Sequence, residues 1–222
     1  MPARSHGTTR QILTNVWPVA FRLTPTYHLP DASGITPAFL DAEGIDLVIW
    51  DVDGTLMSYH AKRVASPLVA TLSEVTRNPH HRHFILSNCD EQRFETLGEI
   101  FPSLPLFRGY VLDDKWVSRV RRGTLDTHSR DAVRELLQRG GWQVRKPDAR
   151  LVPAIMEEAG VRDPQRTLVV GDQFLTDVAT AHLAGARSAK VDTLEPASFP
   201  RSIQTTQRIE RTFYRLTNRP RA

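Results

Sequence analysis

Several features are scarce in this sequence, and each scarcity excludes a class of protein. Cys89 is the single cysteine, which excludes an internal disulfide and a zinc site built on several cysteines, and favours a reducing compartment. Apolar runs fall well short of the roughly 20 residues that a transmembrane helix needs. The first thirty residues also lack the apolar stretch of a signal peptide. We therefore expect a cytoplasmic protein that is not exported.

Lysine is scarce as well, with four lysines against 25 arginines, and basic residues gather at the two ends of the chain. Residues 1–30 contain three arginines and no acidic residue, and residues 201–222 contain six arginines and Glu210. The net charge of +4 therefore comes from the ends, and the middle of the chain is acidic. Such ends are typical of solvated arms or of segments that meet an anionic partner.

The C-terminal segment has the pattern of a basic amphipathic helix. Its arginines and its apolar residues lie on faces about 120° apart. The first face holds Arg208, Arg211, Arg215 and Arg219, and the second holds Ile209, Phe213 and Leu216. Helix 202–217 is suited either to an anionic membrane surface, with the protein peripheral on the membrane, or to packing on its own domain. Nucleic acid is a less favoured partner, and the oligomeric state stays open.

Length and composition predict one globular domain with short additions, since 40% of the residues are hydrophobic and 24% are charged. Apolar strands alternate with helices, which predicts an α/β fold with a parallel sheet and helices on both faces. The strands are predicted at 45–50, 83–87, 167–171 and 187–191, and the helices at 66–77, 91–101, 147–160 and 176–184. We divide the chain into an N-terminal arm with a leading helix (1–44), the main domain (45–200) and the C-terminal helix (201–222).

Residues 103–145 lack a clear hydrophobic period and stand outside this alternation. They contain a charged stretch at 113–122 and an amphipathic helix near 129–139. We interpret this segment as a small insertion that is able to fold over the functional edge of the sheet.

Three histidines, His80, His81 and His83, lie where the chain enters the second predicted strand. Their spacing resembles that of a metal cluster. A turn that leads into a strand more often holds solvated histidines, and we expect these three side chains to be exposed.

The strongest chemical signal is the pentapeptide 51–55, in which Asp51, Asp53, Gly54 and Thr55 follow the first buried strand. Parallel α/β sheets gather reacting groups at the carboxyl ends of their strands. A tight turn at Gly54 brings the two carboxylates toward one point. Paired carboxylates suit Mg²⁺, and an aspartate beside this metal is able to attack phosphorus and form an aspartyl-phosphate.

Two further polar clusters are placed to bind an anion. Ser87 and Asn88 end the second strand, where a hydroxyl and backbone N–H groups can hold phosphate oxygens. Lys146 stands before a predicted helix and offers a cation. Lys115, within the segment 103–145, is the alternative source of that cation.

A fourth cluster, formed by Gly171, Asp172 and Asp177, follows the third strand and adds two carboxylates beside a glycine. Taken in order, the four clusters resemble the four motifs of the haloacid dehalogenase (HAD) superfamily, from about Ile45 to Val191. The resemblance implies a HAD-like Rossmannoid sheet and a phosphomonoester phosphatase that uses Mg²⁺ as its cofactor.

The resemblance also implies a role for each motif residue. Asp51 is expected to be the nucleophile, and Asp53 the general acid that protonates the leaving group and then the base that activates water. The ligands of Mg²⁺ would be the carboxylates of Asp51 and Asp172 and the backbone carbonyl of Asp53. The phosphate-binding residues would be Thr55, Ser87, Asn88 and Lys146, and the supporting residues Gly54, Gly171 and Asp177.

A closer resemblance is to the YqeG-like branch of subclass IIIA phosphatases, which is related to the mitochondrial phosphatidylglycerophosphate phosphatases. It rests on the motif at 171–177, on the lead into the first strand at 44–45, on residues 23–27 and on Arg208–Arg211. The chain departs from that branch in two respects. It has Gly54 where the branch usually has asparagine, and 58 residues separate Ser87 from Lys146.

The spacing of 33 residues between Asp53 and Ser87 leaves no room for the large cap domain that many HAD relatives insert there. An open site suits a phosphate on a bulky or membrane-bound molecule, and the leading substrate is a phosphorylated glycerolipid such as phosphatidylglycerophosphate. The first alternative is a soluble sugar, nucleotide or polynucleotide-end phosphate. The second is a non-catalytic HAD-like binding module, against which the complete set of motif residues argues.

Overall fold

The computed structural model of the protein describes residues 23–201 together with residues 204, 205, 208 and 212. Their strands are β1 (Tyr27–Leu29), β2 (Leu47–Trp50), β3 (Arg82–Ile85), β4 (Leu106–Leu112), β5 (Lys115–Arg122), β6 (Leu125–Asp126), β7 (Trp142–Val144), β8 (Thr167–Gly171) and β9 (Arg187–Val191). Their α-helices are α1 (Pro37–Glu43), α2 (Ser66–Arg77), α3 (Glu91–Ile100), α4 (Arg130–Gln138), α5 (Leu151–Ala159) and α6 (Ala179–Leu183). A π-helical turn, Phe174–Val178, leads directly into α6.

The sheet is built around β2, which lies between β8 and β3 and runs parallel to both. All residues of this strand are apolar and buried, as a central parallel strand requires. The order across the described part of the chain is β1-β9-β8-β2-β3-β4-β5-β6, and β7 pairs with β4. The strands from β1 to β4 in this order are parallel, and those beyond β4 are antiparallel. The predicted α/β fold with a HAD-like Rossmannoid sheet is confirmed.

Alternate residues of β2 face two separate hydrophobic cores. Val48 and Trp50 belong to a core that α1, α2 and α3 cover. Leu47 and Ile49 belong to a second core, which α5 and α6 cover. Successive side chains of a strand point to opposite faces, so one apolar run supplies both cores. Helices therefore lie on both faces of the sheet, as predicted.

The segment 103–145 contains four strands that were not predicted. β4 pairs with the last residue of β3 through Leu106 and Ile85, so most of β4 runs past the carboxyl end of β3. β5 and β7 flank β4 on its two sides. The predicted amphipathic helix is observed as α4, which packs on these strands through Val133 and Leu136. The strands and the helix of this segment extend the sheet beyond β3, and we call the segment 103–145 the wall.

Two buried arginines, Arg108 of β4 and Arg119 of β5, attach this wall to α3. Both donate hydrogen bonds to Glu91 at the start of α3, and both guanidinium groups lie over the ring of Phe94, at 4.3 and 4.7 Å from its centroid. Arg119 also donates to Asp126 over 2.7 Å. Charged residues at these inward positions interrupt the apolar alternation, which explains why the sequence pattern does not reveal the strands.

Most other elements lie where the sequence predicts them. The helix at 66–77 and the strands at 167–171 and 187–191 have the predicted bounds. The helix predicted from residue 147 begins instead at Leu151, because the loop that carries Lys146 continues to Arg150. The leading helix is α1, which begins after a Thr36 cap and ends at Gly44.

The two ends of the chain lie largely outside the described residues. This applies to the N-terminal arm over residues 1–22 and to most of the predicted C-terminal helix. The described positions 201, 204, 205, 208 and 212 are helical, whereas the apolar face and the remaining arginines of that helix lie outside the described residues. Within the described part of the chain, we find no helix with the length and apolar character needed to cross a membrane.

The expectation that the histidines are exposed was wrong for two of them. His80 is exposed, but His81 and His83 are buried. The Nδ1 atom of His83 accepts a hydrogen bond from the indole N–H of Trp50 over 3.2 Å, and its Nε2 lies 3.0 Å from the carbonyl oxygen of Val75. Burial lowers the pKa of His83 to about 4, so the ring is neutral at neutral pH.

His83 should make the protein less stable in mild acid. In the unfolded chain this residue binds a proton below pH 6.5, whereas the folded protein resists protonation down to about pH 4. The free energy of unfolding should therefore rise with pH across this window, by up to ~1.4 kcal/mol per pH unit from this residue. Urea unfolding of wild type and His83→Gln over the same window measures the difference. A variant with the wild-type slope would show that another group is responsible.

Candidate active site

The loops that follow β2, β3, β7 and β8 meet at the carboxyl edge of the sheet. They carry the residues that the sequence singles out, at 51–55, 87–88, 146 and 171–177. Asp51, Asp172 and Asp177 are buried, and their carboxylate oxygens lie within 4.8 Å of one another. The structure thus brings three acidic residues from two strand ends into one cluster, as expected for the carboxyl edge of a parallel sheet.

Lys146 contacts two members of this cluster. Its Nζ atom donates to Asp51 Oδ1 over 2.6 Å and to Asp177 Oδ1 over 2.5 Å. Burial alone would lower the pKa of Lys146, but the carboxylates of Asp177 and Asp51 outweigh that effect and raise it above its ordinary value. The side chain is therefore a fixed cation. Lys115, the alternative candidate, is exposed at the start of β5.

Burial and the charges of neighbouring carboxylates raise the pKa values of Asp51 and Asp172. The pKa of Asp51 rises to about 7, chiefly through burial and with a contribution from Asp177, although Lys146 lowers it. The pKa of Asp172 lies well above its ordinary value because of burial and then of Asp51 and Asp177. The carboxylates outnumber the ammonium group in contact with them. A divalent cation would offset this excess, and carboxylate oxygens are the ligands that Mg²⁺ takes, so the residues fit such an ion.

The side chains of Asn88 and Thr55 hold the central residues in place. The amide of Asn88 donates to the carbonyl oxygen of Lys146 and accepts from its N–H, both over 2.8 Å. The hydroxyl of Thr55, which is fully buried, lies 3.4 Å from Asp51 Oδ2. Ser87 is half-buried just beyond β3. Asn88 and Thr55 were both predicted to bind phosphate. In this structure the side chain of Asn88 contacts the backbone of Lys146, and that of Thr55 lies beside Asp51.

Two glycines allow the loops to approach one another closely. Gly54 has a φ of +94°, and a Cβ atom there would lie 2.7 Å from Asp172 Oδ2 and 2.9 Å from the ring of Phe199. At Gly171 a Cβ atom would lie 2.1 Å from Cγ of Asp177. A side chain at position 54 therefore has no room on this backbone.

Asp53 lies beside the cluster and makes a different set of contacts. Its Oδ1 atom accepts a hydrogen bond from Nη2 of Arg93 over 2.8 Å and another from the backbone N–H of His60 over 3.0 Å. Arg93 is a residue of α3 that sequence reasoning missed. Its contact depends on how the loop 58–65 folds, and no local pattern signals it.

Lys190, at the end of β9, is a second residue that sequence reasoning missed. Its side chain is buried, and its Nζ atom lies 5.2 Å from the ring centroid of Phe174. The charge of Lys190 lowers the pKa of Asp172. Burial and the charges of Asp51 and Asp177 raise that pKa by more. The sequence did hold a signal for Lys190. Lysine is rare in this chain, with four in all, and this one lies at the end of a predicted strand, where functional residues gather.

Comparison with known proteins finds one family model that matches about a quarter of the chain. Residues 143–194 match a family model described as HAD-hydrolase-like, and this stretch includes Lys146, Asp172 and Asp177. A crystal structure of an uncharacterized protein from Listeria monocytogenes serotype 4b is similar over 68% of this chain and 83% of that chain, with 18% sequence identity and a TM-score of 0.43. No curated protein matches the sequence. The family match indicates a hydrolase of the phosphatase type.

Gly54→Ala should destabilise the protein more than Gly44→Ala does. Both glycines have positive φ values, which cost a residue with a side chain roughly 1–2 kcal/mol. A Cβ atom at Gly44 meets no atom within 4 Å among the described residues, whereas one at Gly54 meets Asp172 and Phe199. Overpacking should add a loss of about 1–3 kcal/mol at Gly54. Urea unfolding of both variants measures the difference, and equal losses would contradict the close approach of these loops.

Proposed function

We propose that the protein is a Mg²⁺-dependent phosphomonoester phosphatase that works through an aspartyl-phosphate on Asp51. The observation that carries this proposal is the buried Asp51 carboxylate, which contacts the Lys146 ammonium and lies beside Asp172 and Asp177 at the carboxyl edge of the sheet. Phosphoryl transfer to an aspartate needs a carboxylate nucleophile, a fixed cation and acidic groups that hold a metal. All three are present in this cluster.

The reaction takes place in two steps. First, a carboxylate oxygen of Asp51 attacks phosphorus, the bond from phosphorus to the leaving oxygen breaks, and Asp53 gives that oxygen its proton. Second, Asp53 takes a proton from water, the water oxygen attacks phosphorus, and the bond from phosphorus to Asp51 breaks. Inorganic phosphate leaves, and both aspartates return to their initial states.

Lys146 stabilises the charge that the phosphoryl group carries during both steps. Negative charge spreads over its equatorial oxygens, and a cation that is already in place stabilises it without reorganisation. The contacts of Lys146 with Asp51 and Asp177 hold the ammonium group at the attacking carboxylate. The hydroxyl of Ser87 and the neighbouring backbone N–H groups would bind further phosphoryl oxygens.

The carboxylates of Asp51 and Asp172 and the backbone carbonyl of Asp53 would hold Mg²⁺, with Asp177 in support. Once bound, the ion supplies positive charge opposite the phosphoryl oxygens. Gly54 and Gly171 contribute indirectly, because their lack of a side chain lets Asp172 and Asp177 approach Asp51.

For the physiological substrate we infer a phosphorylated glycerolipid such as phosphatidylglycerophosphate, and for the family branch subclass IIIA. The flanking residues that resemble that branch and the basic C-terminal segment support this inference. The described stretch 54–86 holds a loop, α2 and β3 rather than a cap domain, so a bulky substrate can approach from that side. Gly54 departs from the pattern of that branch, and a soluble phosphomonoester is the second candidate substrate.

Asp51→Asn should abolish hydrolysis of p-nitrophenyl phosphate, because an amide cannot attack phosphorus. Removal of Mg²⁺ with a chelator should abolish the activity of the wild type, and added Mg²⁺ should restore it. Release of p-nitrophenol by the purified proteins measures both effects. Wild-type turnover by Asp51→Asn would exclude the proposed mechanism.

The same assay separates the two substrate classes. Phosphate release is measured with phosphatidylglycerophosphate in mixed micelles and with a panel of soluble sugar and nucleotide phosphates. The Asp51→Asn variant serves as the blank. A kcat/KM for the lipid well above every soluble compound supports the glycerolipid proposal, and the reverse order supports the soluble one.

Lys146→Ala should lower kcat by roughly 10²-fold or more, since one preorganised electrostatic contact typically contributes that much. Lys115→Ala is the matched control and should retain nearly wild-type kcat, because that side chain is exposed on β5. Steady-state kinetics with p-nitrophenyl phosphate compares the two variants. A larger loss for Lys115→Ala would assign the phosphate cation to the wall rather than to the loop after β7.

A further inference from the structure

Arg93 is a buried arginine that joins three parts of the active edge. It lies in the first turn of α3, and its N–H donates to the Asp90 cap over 2.8 Å. One guanidinium nitrogen, Nη1, donates to the carbonyl oxygen of Ala61 over 2.8 Å, and the other, Nη2, donates to Asp53 Oδ1 over 2.8 Å. The side chain therefore ties α3 to the loop 58–65 and to the second aspartate of the first motif.

Two donors converge on the same oxygen of Asp53. Arg93 approaches Oδ1 from α3, and the backbone N–H of His60 approaches it from the loop 58–65. His60 has a φ of +55°, a conformation that few residues with a side chain adopt. The surrounding contacts therefore hold this N–H in place.

We propose that Arg93 is the positioning residue for Asp53 in proton transfer. By fixing Oδ1, it sets the rotation of the carboxyl group, and Oδ2 becomes the oxygen that exchanges a proton with the leaving group and with water. A general acid acts only within hydrogen-bond reach of the atom that it protonates, so the rotation of the carboxyl group decides its effect. The proposal rests on the phosphatase function proposed above.

The forked shape of the guanidinium group suits this task. Arg93 contacts Ala61 and Asp53 with two different nitrogens that a planar group holds at a fixed separation. A lysine offers one compact ammonium group and is able to keep the contact with Asp53 only in part. Arg93→Lys should therefore act better than Arg93→Met and less well than the wild type.

The test compares two aryl phosphates of similar size whose leaving groups differ in their need for a proton. For phenyl phosphate, kcat/KM should fall by about 10–100-fold in Arg93→Met, a part of the effect that a general acid supplies. For p-nitrophenyl phosphate, whose leaving group is stable as an anion, kcat/KM should fall only by a few-fold. Arg93→Lys should recover part of the loss on phenyl phosphate. Equal losses on the two substrates would overturn the proposal.

Arg108→Met is the matched control, because Arg108 is also buried, also packs against α3 and pairs with Glu91 rather than with Asp53. It should lower the midpoint of thermal unfolding and leave the ratio of the two kcat/KM values unchanged. A change of that ratio in Arg108→Met would assign the effect of Arg93 to packing of α3, which contradicts the proposal.

A double variant separates positioning from a general structural effect. In the background of Asp53→Asn, Arg93→Met should cause little further loss on phenyl phosphate, because the group that it positions is gone. Losses that multiply would overturn the proposal.

If the wild type hydrolyses neither aryl phosphate, the proposed function fails. The contact between Arg93 and Asp53 is then tested by thermal unfolding of the wild type, the two single variants and the double variant. Additive shifts of the midpoint would then show that Arg93 does not hold Asp53.

Discussion

Burial of several carboxylates around one ammonium group is the constraint on which the rest of this structure depends. Asp51, Asp172 and Asp177 are buried, and burial raises the pKa values of Asp51 and Asp172. The Lys146 ammonium group contacts Asp51 and Asp177 and offsets part of their charge. Gly54 and Gly171 allow the loops that carry these residues to approach one another closely. In the proposed mechanism this fixed arrangement of charges would stabilise the reacting group without reorganisation, which is the condition for electrostatic catalysis.

The surrounding structure holds this cluster from several directions. Asp51 follows β2 and Asp172 follows β8, and because these strands are parallel neighbours, both aspartates lie at the same edge of the sheet. Gly54 and Gly171 have no side chain, which lets the two loops approach closely. The side chain of Asn88, in the loop after β3, forms two hydrogen bonds with the backbone of Lys146. Arg93 fixes Asp53 from α3. The wall formed by residues 103–145 adds rigidity from outside, because its buried arginines bind the start of the same helix.

The sequence predicts the parts of the fold in which local pattern and long-range packing agree. The run 45–50 is apolar throughout, so it predicts a strand buried on both faces, and the polar residues after it predict the functional edge. The strands β4 and β5 of the wall could not be predicted from hydrophobic pattern, because Arg108 and Arg119 occupy buried positions in them. Both arginines pair with Glu91, which lies outside the segment 103–145, and Arg119 also pairs with Asp126. Hydrophobic periodicity does not detect such pairing.

The same limit applies to the site. The motif aspartates are recognisable from their place after predicted strands, and Lys146 from its place before a predicted helix. Arg93 and Lys190 acquire their contacts only when separate loops fold together. The burial of His83 depends on Trp50, a residue of the neighbouring strand, and an exposed turn was the natural expectation from the local sequence. Residues whose roles depend on a partner far along the chain are therefore the ones that sequence reasoning missed.

In the proposed mechanism, Asp51 carries the phosphoryl group during turnover. Reduction of the working enzyme with borohydride converts an aspartyl-phosphate into homoserine, and peptide mass mapping locates the modified residue. The account predicts homoserine at position 51 when the substrate and Mg²⁺ are both present, and none in Asp51→Asn. Steady turnover with an unmodified residue 51, or with the modification at Asp53, Asp172 or Asp177, would contradict it.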